Sequence, residues 1–205
     1  MDYMDKSSYI VGIDEAGRGP IAGPTAVGIF VIRNNAVLRP RSKKLKLKDS
    51  KKLSEHAREE WMKEIKKWEG EGKIFYEVLF GSPQMIDKKG ISVVIHLLIK
   101  NGLEKLKIPH NAQIYLDGSL HAPVEFFKQK TIIKGDEKIR VISLASICAK
   151  VVRDEYMKKI SKKYPAYQFW KHKGYGTKEH YGALSLKGIS PIHRKTFLKN
   201  ILVKD

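Results

Sequence analysis

Three apolar runs each end in an acid: "YIVGI" leads into Asp14, "AQIYL" into Asp117 and "TIIKG" into Asp136, with Glu15 directly after Asp14. Short β-branched runs of this kind read as buried strands, and the strand ends of an open α/β sheet are where functional groups gather. Carboxylates brought together repel one another, and each is costly to ionise unless a cation neutralises the group. Oxygen donors without clustered Cys or His suit Mg²⁺ or Mn²⁺ rather than Zn²⁺. Two such cations about 3.5–4 Å apart stabilise the attacking and leaving oxygens of a phosphoryl displacement. The plainer explanation is that each acid caps a turn or pairs with one of the 40 lysines and arginines. That suffices for one strand-end Asp. For three together with Glu15, metal binding is the better reading.

The positioning elements follow from the pattern around these acids. Neighbours in a regular strand point to opposite faces, so Asp14 and Glu15 are expected to share a site only if the strand ends there and the chain turns. "GRGP" supplies that turn. Gly17 and Gly19 let backbone N–H groups approach an anion, and Arg18 adds a fork of donors. A phosphate contact and a plain hairpin turn both fit this segment. Gly17, Gly19 and Ala22 also satisfy the dinucleotide-binding glycine pattern, but that pattern needs a helix after it. Here "TAVGIFVI" (25–32) follows, a second strand antiparallel to the first.

Further strands are expected at 73–80, 112–118 and 130–136. Helices are expected at 53–72 with Ser54 as cap, at 82–107 with Ser82 as cap and a weak point or a break at Gly90, at 143–164, and over a short piece at 178–186. Trp61 and Trp68 fall on the apolar stripe of the first helix and are expected in the core. Interleaved strands and helices give an α/β domain with a mixed sheet over residues 1–164. A basic, Gly-rich helical segment, 165–205, joins it in one compact unit.

Composition narrows the partner. A net charge of +18 on 205 residues favours a polyanion, nucleic acid first. The single cysteine, Cys148, excludes an internal disulfide and is expected to be buried. No apolar run reaches membrane-spanning length and no signal peptide is evident, so a cytoplasmic setting is expected.

The motifs, taken in order, resemble the ribonuclease HII family, type 2 ribonucleases H. "IDEAGRGPIAGP" is similar to its first motif; "DSKKLS", "YLDG", "KGD", "SLASICAKVVRD", "YPAYQFWKHKGYGT" and "SPIHRKTF" are similar to its later ones. The resemblance spans about residues 9–197. It implies a ribonuclease H-like mixed sheet flanked by helices. It implies endonucleolytic cutting of RNA in RNA–DNA hybrids and 5′ of single ribonucleotides in duplex DNA, leaving 5′-phosphate and 3′-hydroxyl ends. By motif match, Asp14, Glu15, Asp117 and Asp136 form the catalytic metal site for Mg²⁺ or Mn²⁺. Gly17, Arg18 and Gly19 fall on the turn that senses the ribose 2′-hydroxyl and its phosphate, and Tyr175 on the tyrosine that stacks on the next sugar. A monomer is expected. The chain departs from the family pattern at Gly90 (usually Asn), Leu144 (commonly Ala) and Gly176 (commonly Pro).

Asp136 is preferred to Asp154 as the fourth ligand, because Asp154 lies inside a helix four residues before Lys158, a favourable helical pair. Lys51 of "DSKKLS" is expected to contact a phosphate. His172, His180 and His193 are expected as phosphate donors or structural residues. The alternative from another class is a non-catalytic duplex-binding module; a dinucleotide-dependent oxidoreductase is disfavoured by the strand after the glycines.

Overall fold

The computed structural model describes residues 9–33, 36–40, 47 and 53–198. A mixed five-stranded sheet forms its centre, in the order β3-β2-β1-β4-β5. The strands are β1 (Tyr9–Ala16), β2 (Thr25–Arg33), β3 (Ile74–Gly81), β4 (Gln113–Asp117) and β5 (Gln129–Ile132). β1 runs antiparallel to β2 and parallel to β4. The helices are α1 (Glu55–Gly70), α2 (Pro83–Lys89), α3 (Ile91–Lys105), α4 (Gly135–Lys138), α5 (Arg140–Lys163), α6 (Phe169–His172) and α7 (Lys178–Lys187).

Side-chain alternation along β1 divides the core. Val11 and Ile13 pack with Ile95, Leu98 and Ile99 of α3 on one face. On the other, Trp61 and Trp68 of α1 join Phe30 and Leu144, Ile147 and Cys148 of α5. Full burial of each large apolar side chain contributes about 1.5–3 kcal/mol. α5 crosses β1 and β2 at close range. A Cβ on Gly12 would stand 2.2 Å from the Val141 carbonyl, and one on Gly28 2.3 Å from the Ala145 oxygen. By the two-residue period of a strand, Asp14 points to the same α5 face as Gly12.

The Ser54 and Ser82 caps form as expected, accepting from the N–H groups of Ala57 and Met85. Two expectations are corrected. β1 does not end at Asp14; its pairing with β2 continues to Ala16 opposite Ala26, and only the pairing with β4 stops, at Ile13 opposite Leu116. β5 ends at Ile132, so Asp136 sits in α4, after a left-handed Lys134 at φ 53° has turned the chain. At Gly90 the break is what forms: its φ of 81° interrupts the ladder and divides 82–107 into two helices.

The residues after α5 build a third cluster. Tyr167, Phe169, Leu184 and Leu198 pack on Met157 of α5 and on Ile21 and Ala22 of the β1–β2 loop. Backbone bonds stitch the same contact: Ile21 and Ala22 donate to Gly174, Gly23 donates to Ile192, and Arg194 donates to Ile21.

Candidate active site

β1, β4 and α4 deliver the acids. Asp14 is 3% exposed. Its Oδ1 accepts the Glu15 N–H at 2.8 Å. Burial is the main force raising its pKa, to about 8; the charges of Glu15 and Asp117 push the same way, while the Ser146 hydroxyl and Lys150 on α5 oppose. Asp117, at the end of β4, accepts the Gly135 N–H at 2.6 Å and the Asp136 N–H at 3.4 Å on Oδ1. That contact fixes the turn carrying Asp136, whose side chain is fully buried. The Ser143 hydroxyl donates to the Asp136 carbonyl. Glu15 stands 3.5 Å from Arg18.

The donor set fits a hard divalent cation. Buried carboxyl oxygens carry it, and a carboxyl held neutral beside two other acids gains most from added positive charge. Among the described residues, however, no group of three or more His, Cys, Asp or Glu is gathered closely enough to hold a metal ion without side-chain movement.

Beside the acids opens a cleft of about 520 Å³. Glu15, Gly17, Arg18, Gly19 and Tyr175 line it, together with Arg58, Lys150, Arg153, Asp154 and Lys173. Gly17 has φ 79°, and a Cβ there would fall 2.0 Å from the Arg153 Nε. Gly19 meets nothing within 4 Å. Tyr175 is half exposed, its carbonyl held by His180 Nδ1 at 2.8 Å. A Cβ on Gly176 would press on the Tyr181 hydroxyl at 2.6 Å, so Tyr181 already fills the space beside that departure from the family pattern.

Lys51 lies outside the described residues. Asp154 turns from the expected helical partner to Arg58 of α1, at 3.7 Å, while Lys158 pairs with Glu55 at 2.9 Å. His172, His180 and His193 are buried. His172 and His180 stack on each other and meet Phe169 edge-on, and His180 and His193 are joined through their Nε2 atoms at 3.0 Å.

Sequence reasoning passed over Ser146, Lys150 and Arg153. Their signal was present: with Ser143 they recur at spacings of three, four and three in the otherwise apolar stretch 143–153, which is one helical stripe. Arg194 carried no such signal.

The profile of the ribonuclease HII family matches residues 11–200. The chain is 44% identical to a ribonuclease HII of Caldicellulosiruptor bescii, over 95% of this chain and 88% of that protein. It is 42% identical to one from Clostridioides difficile, over 95% and 71%. Among solved structures it is similar to the ribonuclease HII of Archaeoglobus fulgidus, which was solved in complex with PCNA. The TM-score is 0.71 at 27% identity, covering 90% of this chain and 93% of that one. The cleft and its acids therefore sit in a chain that belongs to the ribonuclease HII family, metal-dependent endoribonucleases acting on RNA–DNA hybrids.

Proposed function

We propose that the chain cuts RNA in RNA–DNA hybrids and also 5′ of single ribonucleotides embedded in duplex DNA, leaving 5′-phosphate and 3′-hydroxyl ends. The observation that carries this reading is the adjacency of two features. Glu15, whose charge acts on the buried Asp14 together with that of Asp117, lines a cleft that contains both the Gly17–Arg18–Gly19 turn and Tyr175.

Asp14, Glu15, Asp117 and Asp136 would hold Mg²⁺ or Mn²⁺, and two such ions supply charge stabilisation for the attacking and leaving oxygens of the phosphodiester. The chain's own residues do the rest. Arg18, Arg58, Lys150 and Lys173 offer the cleft four cations for backbone phosphates. The turn reads the ribose edge, where the 2′-hydroxyl distinguishes RNA from DNA. Tyr175 presents a half-exposed ring to the following sugar. Residues 165–205 serve as the substrate-binding segment of one compact unit, and Lys51 adds a phosphate contact. The protein acts as a monomer in the cytoplasm. No helix among the described residues is long and apolar enough to cross a membrane.

The test is a DNA duplex with one embedded ribonucleotide, incubated with Mg²⁺ or Mn²⁺. Cleavage at the ribonucleotide, abolished by EDTA and by Asp14→Asn, is expected. Absence of cleavage, or full activity in Asp14→Asn, defeats the proposal. Tight binding without cleavage, indifferent to EDTA, supports the non-catalytic module instead.

A further inference from the structure

The Gly17–Arg18–Gly19 turn is held from behind by a residue outside the cleft. Arg194 is fully buried and, among the described residues, forms no ion pair. Its guanidinium donates to backbone oxygens instead: Nη2 to Gly17 at 2.7 Å, Nη1 to Arg18 at 2.9 Å and Nε to Gly23 at 2.9 Å. Its own N–H donates to the Ile21 carbonyl at 2.8 Å. The loop 17–23 thus wraps around one side chain. Burying a cation with no carboxylate is costly, and charge-assisted bonds to several carbonyls offset that cost.

Two of those bonds fix the direction of the peptides in the turn. In a trans peptide the C=O of one residue and the N–H of the next point in opposite directions. Drawing the Gly17 and Arg18 carbonyls inward to Arg194 therefore turns the N–H groups of Arg18 and Gly19 away from it. Gly17, Arg18 and Gly19 are cleft-lining residues. Neither of these N–H groups donates to a backbone carbonyl among the described residues. Lysine cannot replace the arrangement, because one ammonium does not span carbonyls of three residues as a planar fork does.

We propose that Arg194 is a specificity-positioning residue: by holding the Gly17 and Arg18 carbonyls it aims the Arg18 and Gly19 N–H groups at the phosphate–ribose edge of the ribonucleotide. The inference rests on the reading of this cleft as the ribonucleotide site. Arg194 itself touches no substrate.

The experiment compares wild type with Arg194→Lys in steady-state cleavage of a duplex containing one ribonucleotide. An all-DNA duplex of the same sequence serves as competitive inhibitor, and the half-saturating Mn²⁺ concentration is measured for both proteins. The expected result is a fall of more than fivefold in kcat/KM for the ribonucleotide duplex. The inhibition constant of the all-DNA duplex and the Mn²⁺ requirement stay within twofold. A merely structural role would weaken both duplexes in parallel, and that outcome overturns the proposal. So does a fall of fivefold or less. If Arg194→Lys does not fold, Arg194→Gln takes its place under the same criteria, since it keeps two donors and removes the buried charge. Wild-type protein that fails to cleave overturns the reading of the cleft itself, and this inference with it. Wild type that cleaves, with a variant that matches it, overturns only the role of Arg194.

Discussion

Gly17 and Gly19 belong to one motif, and the structure gives them different work. At Gly17 the backbone has φ 79°, and a Cβ would sit 2.0 Å from Arg153 Nε and 2.6 Å from its Cδ. Alanine in a left-handed conformation costs about 1–2 kcal/mol. Arg153 has no slack to yield, because it is buried and bonded through Nε to Pro24 O at 2.9 Å and through Nη2 to Lys173 O at 3.0 Å. Displacing it disturbs two buried hydrogen bonds of a charged group, each worth about 1.5–3 kcal/mol. Gly17→Ala is therefore expected to lose roughly 4–8 kcal/mol, a large part of a typical domain's stability. With a urea m-value of about 2 kcal/mol/M, the midpoint falls by roughly 2–4 M. Gly19→Ala meets nothing within 4 Å and is expected to keep its midpoint, yet to lose cleavage as the methyl enters the cleft. Urea unfolding followed by the fluorescence of the buried Trp61 and Trp68 measures both variants. A Gly17→Ala midpoint within about 0.3 M of wild type, some 0.6 kcal/mol at that m-value, refutes the steric reasoning.

Three further outcomes are expected. Asp14→Asn abolishes cleavage and, in EDTA, raises the melting temperature by about 2–6 °C, the equivalent of about 1–2 kcal/mol from relieving a buried, crowded carboxyl; calorimetry showing a lower melting temperature contradicts this. Tyr175→Ala leaves the melting temperature unchanged, because the ring is half exposed, and lowers kcat/KM on the single-ribonucleotide duplex by about ten- to a hundredfold, the scale of one lost stacking contact. His180 and His193 are each depressed to about 4, by burial first, with His172 adding like charge to both and Glu179 and Lys171 acting on His172 in opposite senses. The unfolded chain thus takes up protons before the folded one. Stability from the pair is complete above pH 6.5 and is lost as pH falls toward 4, by a few kcal/mol in total. His193→Gln should flatten the fall in urea midpoint between pH 7 and 5, and an unchanged slope counts against the histidines as its source.

Much of the site was legible because its signals are local. The apolar runs into Asp14 and Asp117, the caps Ser54 and Ser82 and the strand after the glycines each reflect neighbours within a few residues. What escaped is set by distant partners. "TIIKGD" reads as strand throughout, yet Lys134 adopts φ 53° and Asp117 Oδ1 takes the Gly135 N–H, a bond across 18 residues. Asp154 reads as a partner for Lys158 until α1 brings Arg58 to 3.7 Å. β1 runs past Asp14 because β2 has the length to pair with it through Ala16.

Arg194 marks where legibility ends, since its bond to Gly17 spans 177 residues. A charge of +18 announces a polyanion but does not say which cations meet it. The structure divides them by burial. Arg153 and Arg194 are buried and direct their donors at the carbonyls of Pro24, Lys173, Gly17, Arg18 and Gly23, and Arg153 also lines the cleft beside the less buried Arg18, Arg58, Lys150 and Lys173. Burial and the Arg153 charge lower the Arg194 pKa to about 9, which leaves it a cation at neutral pH. Two buried positive charges therefore adjoin the turn where salt screens them little, while Arg18, the exposed cation of the cleft, faces solvent and its counterions. The buried pair shapes the backbone and lends a fixed positive field to the turn's outward N–H groups. If the cleft binds a duplex as proposed, its more accessible cations, Arg18 first, would supply the salt-sensitive share of binding. On this division, shape selectivity would depend on the buried arginines and overall affinity for the duplex on the accessible cleft cations, so each is expected to be alterable without the other.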